Sequence, residues 1–194
     1  MVRLVEIEVT QEVLCRARRG EEAAQSALYA AVAPATFGLI QRLIGARATA
    51  EDLFQETMLS VFVELDSFRG EAPLGAWVRR IAVSKCLMYL RSPWQRARLE
   101  WYGDAEAVDT EWPASLATPG PVAESLDVER ALATLSPTAR TIVWLFEVEG
   151  YSHEEIARAF GRTVSFSKSQ LARAHRRLRE WYEPCTERQP CTPT

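Results

Sequence analysis

Apolar residues fall at three- and four-residue steps along most of this chain, and one segment rich in proline and glycine interrupts the pattern. From Thr49 the residues Leu53, Phe54, Met58, Val61, Phe62 and Leu65 line one side of a helix. Thr49 with Asp52 three positions on predicts a capped start. Asp66-Ser67-Phe68-Arg69-Gly70 then breaks the period with turn formers, and Pro73 opens a further helix running through Trp77, Ile81 and Leu87 towards Leu90. Upstream, Thr10 to Arg19 and Glu21 to Ile44 read as helices separated by Gly20, with a possible bend at Pro34. Strand signals are scarce. The fold expected is all-α.

Between Trp101 and Pro121 the chain carries Gly103, Pro113, Pro119, Gly120 and Pro121 and loses its period, which predicts a linker. Beyond it Leu126 to Leu135 reads as a helix. Ser136-Pro137 supplies a cap and a first-turn proline for the next helix, which buries Ile142, Val143 and Phe146 and stops near Gly150. Ser152-His153-Glu154-Glu155 is a capping box opening a short helix that ends at Gly161, and a last helix follows Thr163. The organisation expected is two small helical domains, residues 10–98 and 125–183, joined by a flexible acidic linker over 99–124 and followed by a disordered tail over 184–194.

An apolar content of 47% supports globular cores, and the net charge of −3 alone argues weakly against a nucleic-acid partner. Its distribution reverses that inference. Ala72 to Leu99 contains no Asp or Glu but holds Arg79, Arg80, Lys85, Arg91, Arg96 and Arg98; Glu100 to Glu129 contains no Lys or Arg; Arg158 to Arg179 is basic again. Two nucleic-acid-facing modules separated by an acidic connector fit that order. The first basic stretch includes Trp77, Tyr89 and Trp94. Cations that follow phosphates beside aromatic faces that stack on bases are what single-stranded DNA binding requires, although each aromatic taken singly reads as core.

The helices after Ser152 and Thr163, joined at Gly161, have the pattern of a helix-turn-helix. In that arrangement the second helix enters the major groove. Lys168, Ser169, Gln170 and Arg173 would face base edges, Gln170 suiting adenine, while Arg176, Arg177 and Arg179 would meet phosphates. An exposed basic helix packing on another protein is the alternative.

Enzymatic chemistry finds no support. There is no glycine-rich phosphate loop and no nucleophile motif, so no catalytic residues are assigned. Cys15, Cys86, Cys185 and Cys191 form no paired C-x-x-C knuckles, and His153 and His175 stand apart from them, so no metal site and no cofactor are expected. Glu51, Asp52 and Glu56 read as a solvated or partner-binding face. The amino terminus lacks the apolar stretch of a secretory signal and no later run looks long enough to span a bilayer, so a cytoplasmic protein without membrane insertion is expected.

Two motif sets carry a resemblance. Ala50-Glu51-Asp52-Leu53-Phe54-Gln55-Glu56-Thr57, Leu65 to Glu71 and Ala76 to Ala82 are similar to region two of extracytoplasmic-function (ECF) sigma factors of the sigma-70 family. Leu135-Ser136-Pro137, Glu149 to Ala157 and Lys168 to Ala174 resemble region four of the same family. The resemblance implies a transcription initiation factor with no enzymatic activity of its own. Asp52, Gln55 and Glu56 would dock on the beta-prime clamp helices of core RNA polymerase, and region four would meet the beta flap and the minus-35 element. The loop from Asp66 to Pro73, with Phe68 and Arg69, would catch a flipped minus-10 base helped by Trp77, Arg80, Ser84 and Lys85. Minus-35 contacts would come from Lys168, Ser169, Gln170, Arg173, Arg176 and Arg177. An anti-sigma factor is a further expected partner beside promoter DNA. A sigma-like decoy that only engages such a regulator is the competing reading.

Three positions depart from the family pattern. Ser167 replaces an apolar residue, predicting a weaker recognition helix unless its hydroxyl bonds to a carbonyl one turn back. Phe166 replaces a small polar residue and Gln170 a frequent Arg.

Overall fold

The computed structural model of the protein describes residues 4–93 and 122–182, and among these every regular element is helical. The first group comprises α1 (Gln11–Arg18), α2 (Glu22–Ile44), α3 (Arg47–Val63) and α4 (Leu74–Arg91). The second comprises α5 (Val122–Ala133), α6 (Pro137–Val143), α7 (His153–Phe160) and α8 (Val164–Tyr182). A π-helical turn, Trp144–Val148, prolongs α6.

Local chemistry sets most boundaries. Thr10 caps α1, its hydroxyl accepting the Val13 N–H at 3.4 Å. Pro34 lies inside α2, which continues through it to Gly45, where a φ of 86° ends the helix. The start of α3 differs from expectation. It begins at Arg47, two residues before Thr49, and an Arg47 to Glu51 ion pair of 2.7 Å spans its first turn. The cap-like spacing of Thr49 and Asp52 therefore lies within a helix already under way. Ser136 caps α6 through the Ala139 N–H at 3.3 Å, with Pro137 in its first turn.

Around α2 the first group forms a bundle with Leu28, Val32, Ile40, Val61, Val78 and Ala82 at its centre. By length and composition alone α2 could cross a membrane, because its alanines and aliphatic residues raise the mean hydropathy although polar residues such as Gln25 and Gln41 interrupt the apolar run. Half of that stretch is buried against the other helices, as in the central helix of a folded domain.

In the second group Arg140 is a structural residue that periodicity could not reveal. It is 1% exposed and donates to the carbonyls of Leu132 (2.9 Å), Ala133 (3.2 Å) and Leu135 (3.1 Å). These carbonyls lie at and just past the end of α5, where the Leu132 carbonyl also accepts the Leu135 N–H at 3.1 Å. Burial lowers its guanidinium to about 10.

The described parts of the two groups touch directly, whereas the sequence reading has them connected only by a linker. α2 packs on α6 and α4 on α7. The Thr141 hydroxyl donates to the Leu43 carbonyl at 2.8 Å in a buried contact, and Arg42 sits 5.3 Å from the centre of the Trp144 ring. Leu43, Ile142 and Leu145 belong to one continuous apolar core, so the end of α2 is covered by α6 instead of water. Of the predicted acidic linker over 99–124, the last three residues are already helical, because α5 starts at Val122 and not after residue 125; the rest of it, and the tail with Cys185 and Cys191, lie outside the described residues.

Candidate nucleic-acid interface

α8 presents two unlike faces. Ser165, Lys168, Ser169, Ala172, Arg173 and Arg176 are exposed, and their spacing places them on one side of the helix. Ser167, Leu171 and Ala174 are buried on the other. Four of the expected groove-facing residues thus share the open side. Ser165 and Ala172 share it too, and the spacing i, i+4, i+7, i+8 through Ser165, Ser169, Ala172 and Arg173 was the signal that could have found them.

Gln170 does not share it. It is 8% exposed and borders a cleft of about 350 Å³ with Leu135, Ser136 and Ala139, a cleft whose rim Arg173 and Arg176 also line, so its side chain lies beside the open side and not on it. One residue after Ser169 is a rotation of about 100° on a helix, enough to leave the outer face. Arg177 is exposed, but its Nε donates to the Thr134 carbonyl at 2.9 Å, tying it to the end of α5.

The helix-turn-helix is held by local bonds. Ser152 accepts the Glu155 N–H at 3.2 Å while the Glu155 carboxylate accepts the Ser152 N–H at 2.8 Å. That second bond, strengthened by the partner hydroxyl, holds the Glu155 carboxyl below its usual range. Gly161, at φ 61°, ends α7 in the left-handed region. Ser167 is fully buried, and its hydroxyl lies 3.0 Å from His153 Nδ1 on α7. This bond joins the two helices, and Phe146 stacks on His153 with ring centres 4.5 Å apart.

The basic stretch of the first group divides by exposure. Phe68 and Trp77 are each 8% exposed and pack together with ring centres 5.3 Å apart. They still border a surface cavity of about 360 Å³ together with Arg69, Gly70, Ala76 and Arg80. Gly70, at φ 75°, turns the loop over this cavity. Arg69, Arg80 and Ser84 are exposed, the last two one turn apart on α4. Lys85 is half-buried, with Nζ 3.9 Å from Glu56 Oε2 on α3. Arg79, in the same basic run, points elsewhere and pairs with Glu149.

Asp52, Gln55 and Glu56 are exposed on α3, and Leu59 (67% exposed) and Val63 (81%) extend the same side. Among the described residues no three His, Cys, Asp or Glu side chains converge as metal ligands. Cys86 is buried, which pushes its thiol up to about 12 and leaves it a weak nucleophile.

Comparison with known proteins places both surfaces in one family. Residues 28–96 match Sigma-70 region 2 and residues 125–178 match Sigma-70, region 4, together more than half of the chain. The RNA polymerase sigma factor CarQ of Myxococcus xanthus is 33% identical over 85% of this chain and 92% of its own length. ECF RNA polymerase sigma factor SigM of Mycobacterium tuberculosis is 35% identical over 66% of this chain, and the match spans 62% of SigM. Among solved structures, the sigma factor RpoE in complex with the anti-sigma factor NepR from Bartonella quintana is 26% identical, covering 80% of this chain and 94% of that one, with a TM-score of 0.49. Two matched regions in the family's order, one falling within each helical group, show that the chain belongs to the sigma-70 family, among its ECF sigma factors.

Proposed function

We propose that this protein is a working sigma factor: it binds core RNA polymerase and confers promoter-specific initiation, without catalysing a reaction itself. The observation that carries the reading is the coexistence of two accessible nucleic-acid surfaces in one chain. One is the outer face of α8, with Lys168, Ser169, Arg173 and Arg176, which suits base edges and phosphates of the minus-35 duplex. The other is the cavity beside Phe68, Trp77 and Arg80, which has the aromatic walls and the cation required to hold one base flipped from the minus-10 element.

Docking on the beta-prime clamp helices falls to Asp52, Gln55 and Glu56, which stand together in solvent on α3, while region 4 meets the beta flap. An anti-sigma factor is the regulatory partner in this reading, and the cytoplasm is its compartment. Run-off transcription with purified core polymerase on genomic fragments tests the whole. Discrete transcripts that depend on the added chain are expected. Tight binding to a regulator with no transcript from any fragment would instead identify a decoy.

A further inference from the structure

Arg18 lies in α1, outside every basic run that the sequence singles out, yet its guanidinium reaches across to the loop that borders the cavity. Its Nε donates to the Leu65 carbonyl at 3.2 Å, and its Nη2 donates to the Phe68 carbonyl. The two acceptors enclose the single 3-10 turn Leu65–Ser67 that follows α3. The Leu65 carbonyl also accepts the Phe68 N–H at 3.2 Å, which closes the turn, and the Phe68 carbonyl lies just past it, so the half-buried Arg18 cation sits where carbonyl dipoles at the end of a helical run favour positive charge. A planar fork is the side chain that can hold two carbonyls at once.

Arg18 thereby fixes the backbone at Phe68. From that point the Phe68 ring turns inward onto Trp77, and residues 69–72 turn outward over the cavity. Arg18 does not itself border the cavity.

Resting on the base-capture reading above, we propose that Arg18 is a positioning residue for the flipped minus-10 base: by clamping the Leu65 and Phe68 carbonyls it holds the Phe68–Trp77 wall in the register that selects one base. Among the described residues, the loop beyond Phe68 shows no comparable anchor. Gly70 has open space around it, and among the described residues Arg69 pairs with Glu71 at 4.0 Å between two exposed side chains. Selectivity therefore depends on how firmly the loop is held where it leaves the core.

The test uses holoenzyme assembled from core polymerase and the full chain. The probe is single-stranded DNA carrying the non-template minus-10 sequence of a promoter found by run-off transcription, with 2-aminopurine placed at each position in turn. Wild-type holoenzyme should show one position with a strong fluorescence rise and sharp discrimination among the four natural bases. Arg18→Gln should reduce discrimination at that position about tenfold, as expected for the loss of hydrogen bonds to a charged donor. Arg18→Lys, which holds one carbonyl at a time, should fall between, and affinity for core polymerase should not change in either variant. Undiminished discrimination in Arg18→Gln overturns the proposal, as does a parallel loss of core binding, which would mark a general role in folding. A wild-type holoenzyme with no such position overturns base capture itself.

Discussion

Arg79 Nη1 lies 2.7 Å from Glu149 Oε2, in an ion pair that joins α4 to the turn after α6. The other Glu149 oxygen accepts the Trp144 indole N–H at 3.2 Å, and the Arg79 guanidinium stands 5.6 Å from the centre of the Tyr151 ring. Both charged side chains are largely buried, with 23% and 11% exposure, so solvent screens them little. Glu149→Ala would leave Arg79 and the indole without their acceptor and should cost about 1.5–3 kcal/mol, the usual range for hydrogen bonds to a charged group. Urea unfolding measures the loss. Small-angle scattering should show a larger radius of gyration for the variant, and an unchanged radius with unchanged stability would contradict the assignment of this pair to the contact between the two groups.

The bond between Ser167 and His153 makes the helix-turn-helix sensitive to a substitution that ordinarily favours helices. Ser167→Ala removes the hydroxyl from a fully buried site and leaves the imidazole nitrogen unpaired, which should destabilise the fold by about 1–3 kcal/mol. Ser167→Leu, which restores the apolar residue usual in the family, should be worse than neutral because the space is already filled. Thermal unfolding followed by circular dichroism compares the two, and a gain in stability for either would refute the account.

Readout of the upstream element should follow the outer face of α8. Lys168→Ala or Ser169→Ala is expected to relax preference at one base pair, with about 1–3 kcal/mol of discrimination lost if the wild-type contact is bidentate. Arg176→Ala should weaken binding to all sequences alike and lower the salt dependence by about one phosphate contact. Gln170→Arg should leave the preferred sequence intact and reduce stability, because position 170 faces the cleft beside Ser136. Selection of bound upstream sequences at two salt concentrations separates these outcomes. A new base preference in Gln170→Arg would put this side chain in the groove after all.

Acid should loosen the start of α7 in a defined window. The Glu155 carboxyl is depressed below its ordinary value of 4.5 by the Ser152 N–H it accepts. A depressed carboxylate stabilises the fold fully above the unfolded pKa and loses that contribution as pH falls through the lower, folded value. The Ser152 amide resonance should therefore titrate below about 4.5 in the wild type. Glu155→Gln should abolish that titration, and an unaltered titration would show that another group is responsible.

Much of this arrangement was legible in the residues. Ser136-Pro137, the Ser152 to Glu155 box and Gly161 each fix a backbone feature through one local interaction, and each stands where its chemistry requires. Asp52, Gln55 and Glu56 reach solvent because the alternation of α3 leaves them opposite Leu53, Met58 and Val61. What escaped depends on distant partners. Arg18 and Arg140 look like ordinary surface cations until the carbonyls that surround them are brought up by folding. The burial of Gln170 was not legible because motif spacing gives its position along the helix but not which side the neighbouring helices cover.

Packing between α2 and α6 and between α4 and α7 sets a ruler against the DNA. Elements named minus-10 and minus-35 lie about 25 base pairs apart, roughly 85 Å at 3.4 Å per pair. A compact body the size of the described residues has a radius of gyration of about 15 Å and is roughly 40 Å across, too small to reach both. The chain between residues 93 and 122, fully extended at about 3.3 Å per residue, has a contour length comparable to that separation. If the proposed reading holds, a chain that contacts both elements of one promoter is expected to part the Thr141 to Leu43 and Arg79 to Glu149 contacts. The strength of that parting sets the fraction of molecules able to bind, so a weaker contact raises apparent promoter affinity without altering any residue that touches DNA.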